Sequence, residues 1–241
     1  TYIPLPGWVR EEARKVGLSS VFYTDRSGES NDEYIAAAAD FTPLRGRTPV
    51  QIYSDFLQAF ARTFDKFFHT VLKKVQIGMG PAGELRYPSF PLTKWCYPGP
   101  GEFQCYDKHM KESWAAHCDK NGHHGWSKRF PDLKGYNCKP ERSPFLSKDI
   151  HSDYGKFFMR WYADELLQHG ERVLAAASAT LAPYNVEISG KVAGLHWLYK
   201  SKHHGTECCA GYYNTNRNNA YADIAAMFKR HGATFDFTHR W

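Results

Sequence analysis

The sequence predicts an α/β fold built on parallel strands, and three observations carry that reading. From Thr48 onward, segments with helix and strand periods alternate along the chain. At 241 residues, 42% hydrophobic and 16% aromatic, the chain can bury a sizeable core. No internal repeat or low-complexity stretch interrupts the pattern. Length and composition together exclude a disordered tail, a collagenous repeat and a small disulfide scaffold, and one domain spanning residues 1–241 is the default.

Each element has its own signal. In Thr48-Pro49-Val50-Gln51, Thr48 can cap a helix, Pro49 suits its first position and Gln51 can reach back to the cap. Ile52, Phe56, Phe60 and Phe64 then recur at helical spacing, with Tyr53, Leu57, Phe67 and Phe68 beside them, predicting a wide aromatic face. Val75 to Gly80 reads as a short buried strand running into a turn rich in Gly and Pro. Ser152 caps a long helix carrying Phe157, Phe158, Trp161, Tyr162, Leu166, Val173, Leu174 and Ala177, which closes near Pro183. Val186 to Trp197 is a second strand, Ala220 to Arg230 a helix closed by Gly232, and Thr234 to Thr238 a third strand. From Tyr87 to about Ile150 there is no clean period, and so long an irregular stretch predicts a functional excursion.

Charge and cysteine content remove other classes. Lys and Arg number 31 against 25 Asp and Glu, a net +6, but the excess is spread out, and the densest patches are Lys73-Lys74 and Arg10 to Lys15. A nucleic-acid reader concentrates its basic residues on one element, so no nucleic-acid partner is expected. No segment approaches the roughly 18 apolar residues of a spanning helix, so no membrane partner is expected either. The six cysteines include the adjacent pair Cys208-Cys209, which argues against a disulfide framework. Neither Asn-x-Ser/Thr nor a leader-like start is present, and an intracellular location is expected. Gly78-Met79-Gly80-Pro81-Ala82-Gly83 imitates a dinucleotide fingerprint, but Pro81 removes a donor and no helix follows, so no cofactor is expected. Cys118 with His123 and His124, or Cys208 with His203 and His204, lacks the paired spacing of a zinc site, so no metal is expected.

The candidates for chemistry lie at strand ends. Glu84 follows the first strand, where a barrel places catalytic groups, yet its spacing from Arg86 fits a simple ion pair equally well. If the second strand runs to Trp197, then Lys191, Ala193, Leu195 and Trp197 share one face and Gly194 and His196 the other. A lysine inside a strand is costly unless a polar partner meets it, and a satisfied core position is the ordinary fate of a residue like His196. Trp95, Tyr97, Trp197, Tyr199, Tyr212 and Tyr213 are either core or platforms for a flat neutral ligand such as a sugar, with ligand contact slightly favoured.

Gly78 to Pro91, reading Gly-Met-Gly-Pro-Ala-Gly-Glu-Leu-Arg-Tyr-Pro-Ser-Phe-Pro, resembles the active-site signature of the β-amylases, which release maltose from the non-reducing ends of starch chains. The resemblance extends to Phe22-Tyr23-Thr24-Asp25-Arg26-Ser27-Gly28, Gly101 to Asp107, Lys191 to Trp197, Ala210 to Asn214 and His231 to Thr234. It implies a (β/α)8 TIM-barrel type of fold, of which these residues match an incomplete, middle portion with long loops. It implies Glu84 as general acid, Lys191, His196 and Thr238 as residues that hold substrate or support the centre, and Ala82, Tyr97 and Trp197 as glucose-subsite residues. Tyr97 stands where many members carry Phe, and Leu198 replaces an aromatic residue. The implied partner is an α-1,4-glucan or maltose, and the implied compartment is the cytoplasm or plastid.

The resemblance also predicts what the chain lacks. The family has a preceding His-x-Cys-Gly-Gly-Asn-type segment and a later strand bearing a second glutamate, whereas this chain starts at Thr1 and stops at His239-Arg240-Trp241. It therefore reads as a processed or partial product. An inverting glycosidase needs two carboxyls about 6.5–9.5 Å apart. The base is expected outside this chain, which alone is expected to be inactive, and Glu102, Asp107 and Glu207 have no claim to that role. Three strands would leave two open edges, to be covered by remaining segments of the same protein or by a partner chain. The alternative is a non-catalytic scaffold or glucan-binding subunit of a larger assembly.

Overall fold

The computed structural model describes residues 4–68, 70–215 and 217–238. Thr1 to Ile3 and His239 to Trp241, which enter the expectations about the chain's ends, lie outside the described residues.

Before Thr48 the chain forms structure that its periodicity did not announce. Helix α1 (Gly7–Val16) buries Val9 and Ala13 and leads to Gly17 at φ +96°. Strands β1 (Phe22–Thr24) and β2 (Ser30–Ile35) pair antiparallel, Thr24 opposite Ser30. Their turn is organised by Asp25, whose Oδ1 accepts from Ser27 N at 2.9 Å, Ser27 Oγ at 2.6 Å and Glu29 N at 3.1 Å. An aspartate that satisfies its own turn in this way sets hairpin geometry without apolar alternation.

Helix α2 (Pro49–Thr63) begins with both bonds of the capping box, Thr48 N to Gln51 Oε1 at 2.8 Å and Gln51 N to Thr48 Oγ1 at 3.3 Å. Its expected aromatic face is only partly covered: Leu57 and Ala61 are buried, while Phe56 and Phe64 are exposed. The short helix α3 (Asp65–Phe68) buries Phe68, and strand β3 (Lys74–Ile77) follows. Helix α4 (Lys108–Lys120) lies inside the stretch read as irregular. Asp107 caps it, and only the narrow stripe of Met110, Trp114 and Cys118 is buried, too thin to stand out among His and Lys.

The short helix α5 (Pro144–Ser147) precedes α6 (Asp153–Leu181), capped by Ser152 as expected. Helix α6 packs along α2 and buries Phe158, Trp161, Tyr162, Leu166, Val173, Leu174 and Ala177. Strand β4 (Glu187–Val192) stops five residues short of the expected Trp197. The Ala193 N–H goes to the Tyr212 hydroxyl at 3.0 Å instead of to a neighbouring strand, so the two-faced arrangement expected of residues 193–197 does not form. The chain continues through α7 (Gly205–Cys209), α8 (Ala220–Arg230) and β5 (Thr234–Phe237). Strands β3, β4 and β5 form one parallel sheet in that order, with Ile77 opposite Gly190 and Val192 opposite Phe237. Helical crossovers between parallel neighbours are what the alternating pattern demanded.

Behind this sheet Asp40 is fully buried and bonded to His169 Nδ1 at 2.8 Å and Arg172 Nε at 2.7 Å. The other nitrogen of His169 meets Met79 O at 3.0 Å, tying α6 to the turn after β3.

Candidate active site

The carboxyl ends of parallel strands collect functional groups because the loops there are free to vary above a rigid sheet. Past Ile77 the chain makes a tight excursion, with Gly83 N to Gly80 O at 2.8 Å and Glu84 N to Pro81 O at 2.9 Å. It then rejoins the sheet beside Lys191, with Leu85 N on Lys191 O at 2.9 Å. Gly83 sits at φ +80°, a backbone conformation that residues with a side chain rarely adopt, so glycine suits the turn. Ala82 holds φ +55° without that freedom, and its N–H reaches Tyr34 Oη at 3.4 Å.

Glu84 is thereby placed between two partners. Its Oε2 accepts from Arg86 Nε at 2.7 Å and its Oε1 from Thr238 Oγ1 at 2.5 Å. Thr238 is anchored by its own N–H on Val192 O at 3.0 Å, at the end of β5. The ion pair anticipated as the plain structural reading therefore exists, with Glu84 and Arg86 side chains 15% and 16% exposed. It occupies one carboxylate oxygen only and leaves a functional role open. Lys191 meets the polar partner that its strand position required: Nζ donates to Ala82 O at 2.9 Å. Glu84, Lys191, Ala82 and Thr238, scattered over more than 150 residues of sequence, thus converge on three strand ends.

A cleft of about 480 Å³ opens beside this group, lined by Tyr34, Pro81, Arg86, Phe90 and Lys94 among others. Arg86 forms part of its wall and Glu84 stands directly behind Arg86.

The second group is an aromatic rim. Trp197 lies 5.5 Å from Trp95, 5.1 Å from Phe90 and 6.2 Å from Tyr97, centroid to centroid. Both indole N–H groups donate to one acceptor, Gly99 O, at 2.8 Å from Trp95 and 3.0 Å from Trp197. Tyr97 is 66% exposed. His196 is exposed and edge-on to Trp197, so the core position anticipated for it does not hold. Of the other aromatics read as platforms, Tyr212 and Tyr213 are core residues: Tyr212 donates to Leu85 O at 2.7 Å and receives Ala193 N. Arg86 joins centre to rim, its guanidinium 5.8 Å from the Phe90 ring.

The sequence did not single out Arg86 as a cleft residue, nor Lys94, Asp25 and Tyr136 as a connected set. Charged residues on separate loops share no period, so only their contacts reveal them. All six cysteines are free thiols, and Cys208 and Cys209 are buried. Among the described residues no group of three or more His, Cys, Asp or Glu side chains is arranged to hold a metal ion.

Comparison with known proteins agrees with this geometry. Residues 1–240 match the profile described as glycosyl hydrolase family 14. Beta-amylase 2, chloroplastic, from Oryza sativa subsp. japonica is 50% identical over 98% of this chain and 43% of its own length. Beta-amylase 1, chloroplastic, from Arabidopsis thaliana is 46% identical over 98% of this chain and 42% of its own. The crystal structure of the catalytic domain of beta-amylase from Paenibacillus polymyxa superimposes with a TM-score of 0.76 at 30% identity, covering 98% of this chain and 55% of that one. The chain therefore spans less than half the length of these two curated relatives. Its fold class is the α/β, (β/α)8 TIM-barrel type, of which the three parallel strands described here form part.

Proposed function

The chain belongs to glycosyl hydrolase family 14, and from that premise we propose that it carries the acid half of a β-amylase centre, one that hydrolyses α-1,4-glucan of the starch class from the chain end with inversion and releases maltose. Glu84 is the general acid that protonates the departing glycosidic oxygen. Lys191 and Thr238 support it, and Ala82, Tyr97, His196 and Trp197 contact glucose units. The observation that carries the reading is the placement of Glu84: a carboxylate at a parallel strand end, gripped by Thr238 on one oxygen and on the other by Arg86, which lines the cleft and reaches the aromatic group through Phe90.

An inverting mechanism requires a second carboxylate to activate water from the opposite face of the sugar. Among the other buried carboxylates, Asp25 is engaged in the hairpin turn, Asp40 with His169 and Arg172, Asp107 as the α4 cap and Glu207 with His204 and Asn214, while Glu102, whose Oε1 finds no partner among the described residues, lines a separate cavity and not the cleft beside Arg86. On the family resemblance we assign the base to a segment outside this chain, and the chain alone is expected to be inactive. The free sides of β3 and β5 are covered by that segment or by a partner chain, and residues 1–241 act as one domain with it. The chloroplastic relatives support a plastid location, and among the described residues no helix is long and apolar enough to cross a membrane.

The test uses the longest form of the protein that its source makes, assayed for maltose release from soluble starch. Glu84→Gln is expected to lower kcat by about 10²- to 10⁴-fold, the usual worth of a general acid, with starch binding kept. A variant that retains activity within about threefold overturns the assignment. A parent protein that binds starch but releases no maltose points instead to a glucan-binding subunit.

A further inference from the structure

The rim residues Trp95 and Tyr97 sit on an irregular loop, yet the loop is held at both flanks by side chains that the proposed chemistry does not use. The Lys94 ammonium lies 2.6 Å from Asp25 Oδ2, 2.6 Å from Glu29 Oε2 and 3.1 Å from Ser27 Oγ. Asp25 is buried and also accepts from Tyr136 Oη at 2.8 Å, and Tyr136 in turn receives Gln104 Nε2 at 3.1 Å. From the same segment, Asn137 donates to Lys94 O at 2.9 Å and accepts from Cys96 N at 2.7 Å, bracketing Trp95. Gly99, which bears the carbonyl shared by both indoles, has no room for a side chain: a Cβ would lie 2.6 Å from Asn137 Oδ1 and 2.7 Å from Tyr136 O. Lys94 also forms part of the wall between the 480 Å³ cleft and a second cavity of about 460 Å³.

Burial opposes the charge on Asp25, but hydrogen bonds from Lys94, Ser27 and Tyr136 outweigh it and hold the carboxyl below its ordinary range. This is an ion pair with one partner almost fully buried, unlike a surface pair worth nearly nothing. It links the β1–β2 hairpin to the rim loop across 69 residues of sequence.

We propose that Lys94 is a positioning residue for glucan binding: pinned by Asp25 and Tyr136, it fixes the loop so that Trp95, Tyr97 and Trp197 present one preformed aromatic surface to the sugar. The proposal rests on the reading that this cleft receives a glucan. Preorganisation of this kind strengthens ground-state and transition-state binding alike, so its loss moves KM and leaves kcat alone.

In the longest native form, Lys94→Met is expected to raise KM for maltoheptaose about fivefold, with kcat within about twofold and recovery of most of the loss in Lys94→Arg. Equal KM values for parent and Lys94→Met, a fall in kcat alone, or no rescue by arginine overturns it. If the parent releases no maltose, the catalytic reading fails separately, and positioning is judged by acrylamide quenching of indole emission. Lys94→Met should then increase quenching, Lys94→Arg should not, and the increase should vanish in a Trp95→Phe background. Unchanged quenching overturns the proposal.

Discussion

The carboxylate centre and the aromatic rim are joined through Arg86 and Phe90 but held by different means. Glu84, Lys191 and Thr238 inherit their positions from backbone hydrogen bonds: Leu85 N to Lys191 O and Thr238 N to Val192 O continue the register of the sheet. Trp95 and Tyr97 have no such ladder and depend on Lys94, Asn137 and Gly99. A sheet places atoms to within tenths of an ångström at little side-chain cost, whereas a loop needs dedicated anchors. The difference predicts a division of effects, with damage at strand ends striking chemistry and damage at loop anchors striking binding.

The largest loss should come at the buried support of the turn after β3. Asp40→Ala leaves Arg172 and His169 without their buried partner and frees the turn at Met79, so about 3–5 kcal/mol of stability should disappear. A urea midpoint close to that of the parent would show that Asp40 does not anchor this turn.

Next in size is Thr238→Val, which removes the bond to Glu84 Oε1 and keeps the shape of the side chain. A hydrogen bond to a charged group contributes about 1.5–3 kcal/mol, so kcat should fall by roughly 10- to 150-fold with little change in KM. A KM effect would blur the division between centre and rim.

The smallest effect lies beneath the rim. Glu102 is buried, its Oε1 finds no hydrogen-bond partner among the described residues, and it lines the second cavity. Burial pushes its carboxyl up to about 7, Arg26 opposing and Asp25 adding to the rise. The folded protein thus holds this proton more tightly than the unfolded chain, whose value is 4.5. The resulting stability is fully present below pH 4.5 and lost as pH rises through about 7. Asp107 is raised in the same direction by its burial and adds to the slope. Glu102→Gln should flatten part of the fall in Tm across that window, a change on the order of a few degrees. Parallel Tm profiles for parent and variant would remove Glu102 from the account.

How much could be read from the chain follows the same division. The helix starting at Thr48, the helix capped by Ser152, and all three parallel strands were legible because capping and periodicity are local. Glu84, Lys191 and Thr238 were named by the resemblance alone, and the structure brings them together at strand ends. Helix α4 was hidden by its thin apolar stripe, and the β1–β2 hairpin by a turn built on Asp25 rather than on alternating strands. The end of β4 depended on Tyr212, some twenty residues away, taking a backbone N–H. The Lys94 anchor was invisible for the same reason, since a pair separated by 69 residues leaves no mark on either neighbourhood.

The role proposed for Glu84 is to supply a proton to the leaving group. The most direct test compares Glu84→Gln on starch and on α-maltosyl fluoride, whose fluoride departs without protonation. The variant is expected to lose about 10²-fold or more on starch and to stay within about tenfold of the parent on the fluoride. Equal losses on both substrates would contradict it and give Glu84 a role other than that of the acid.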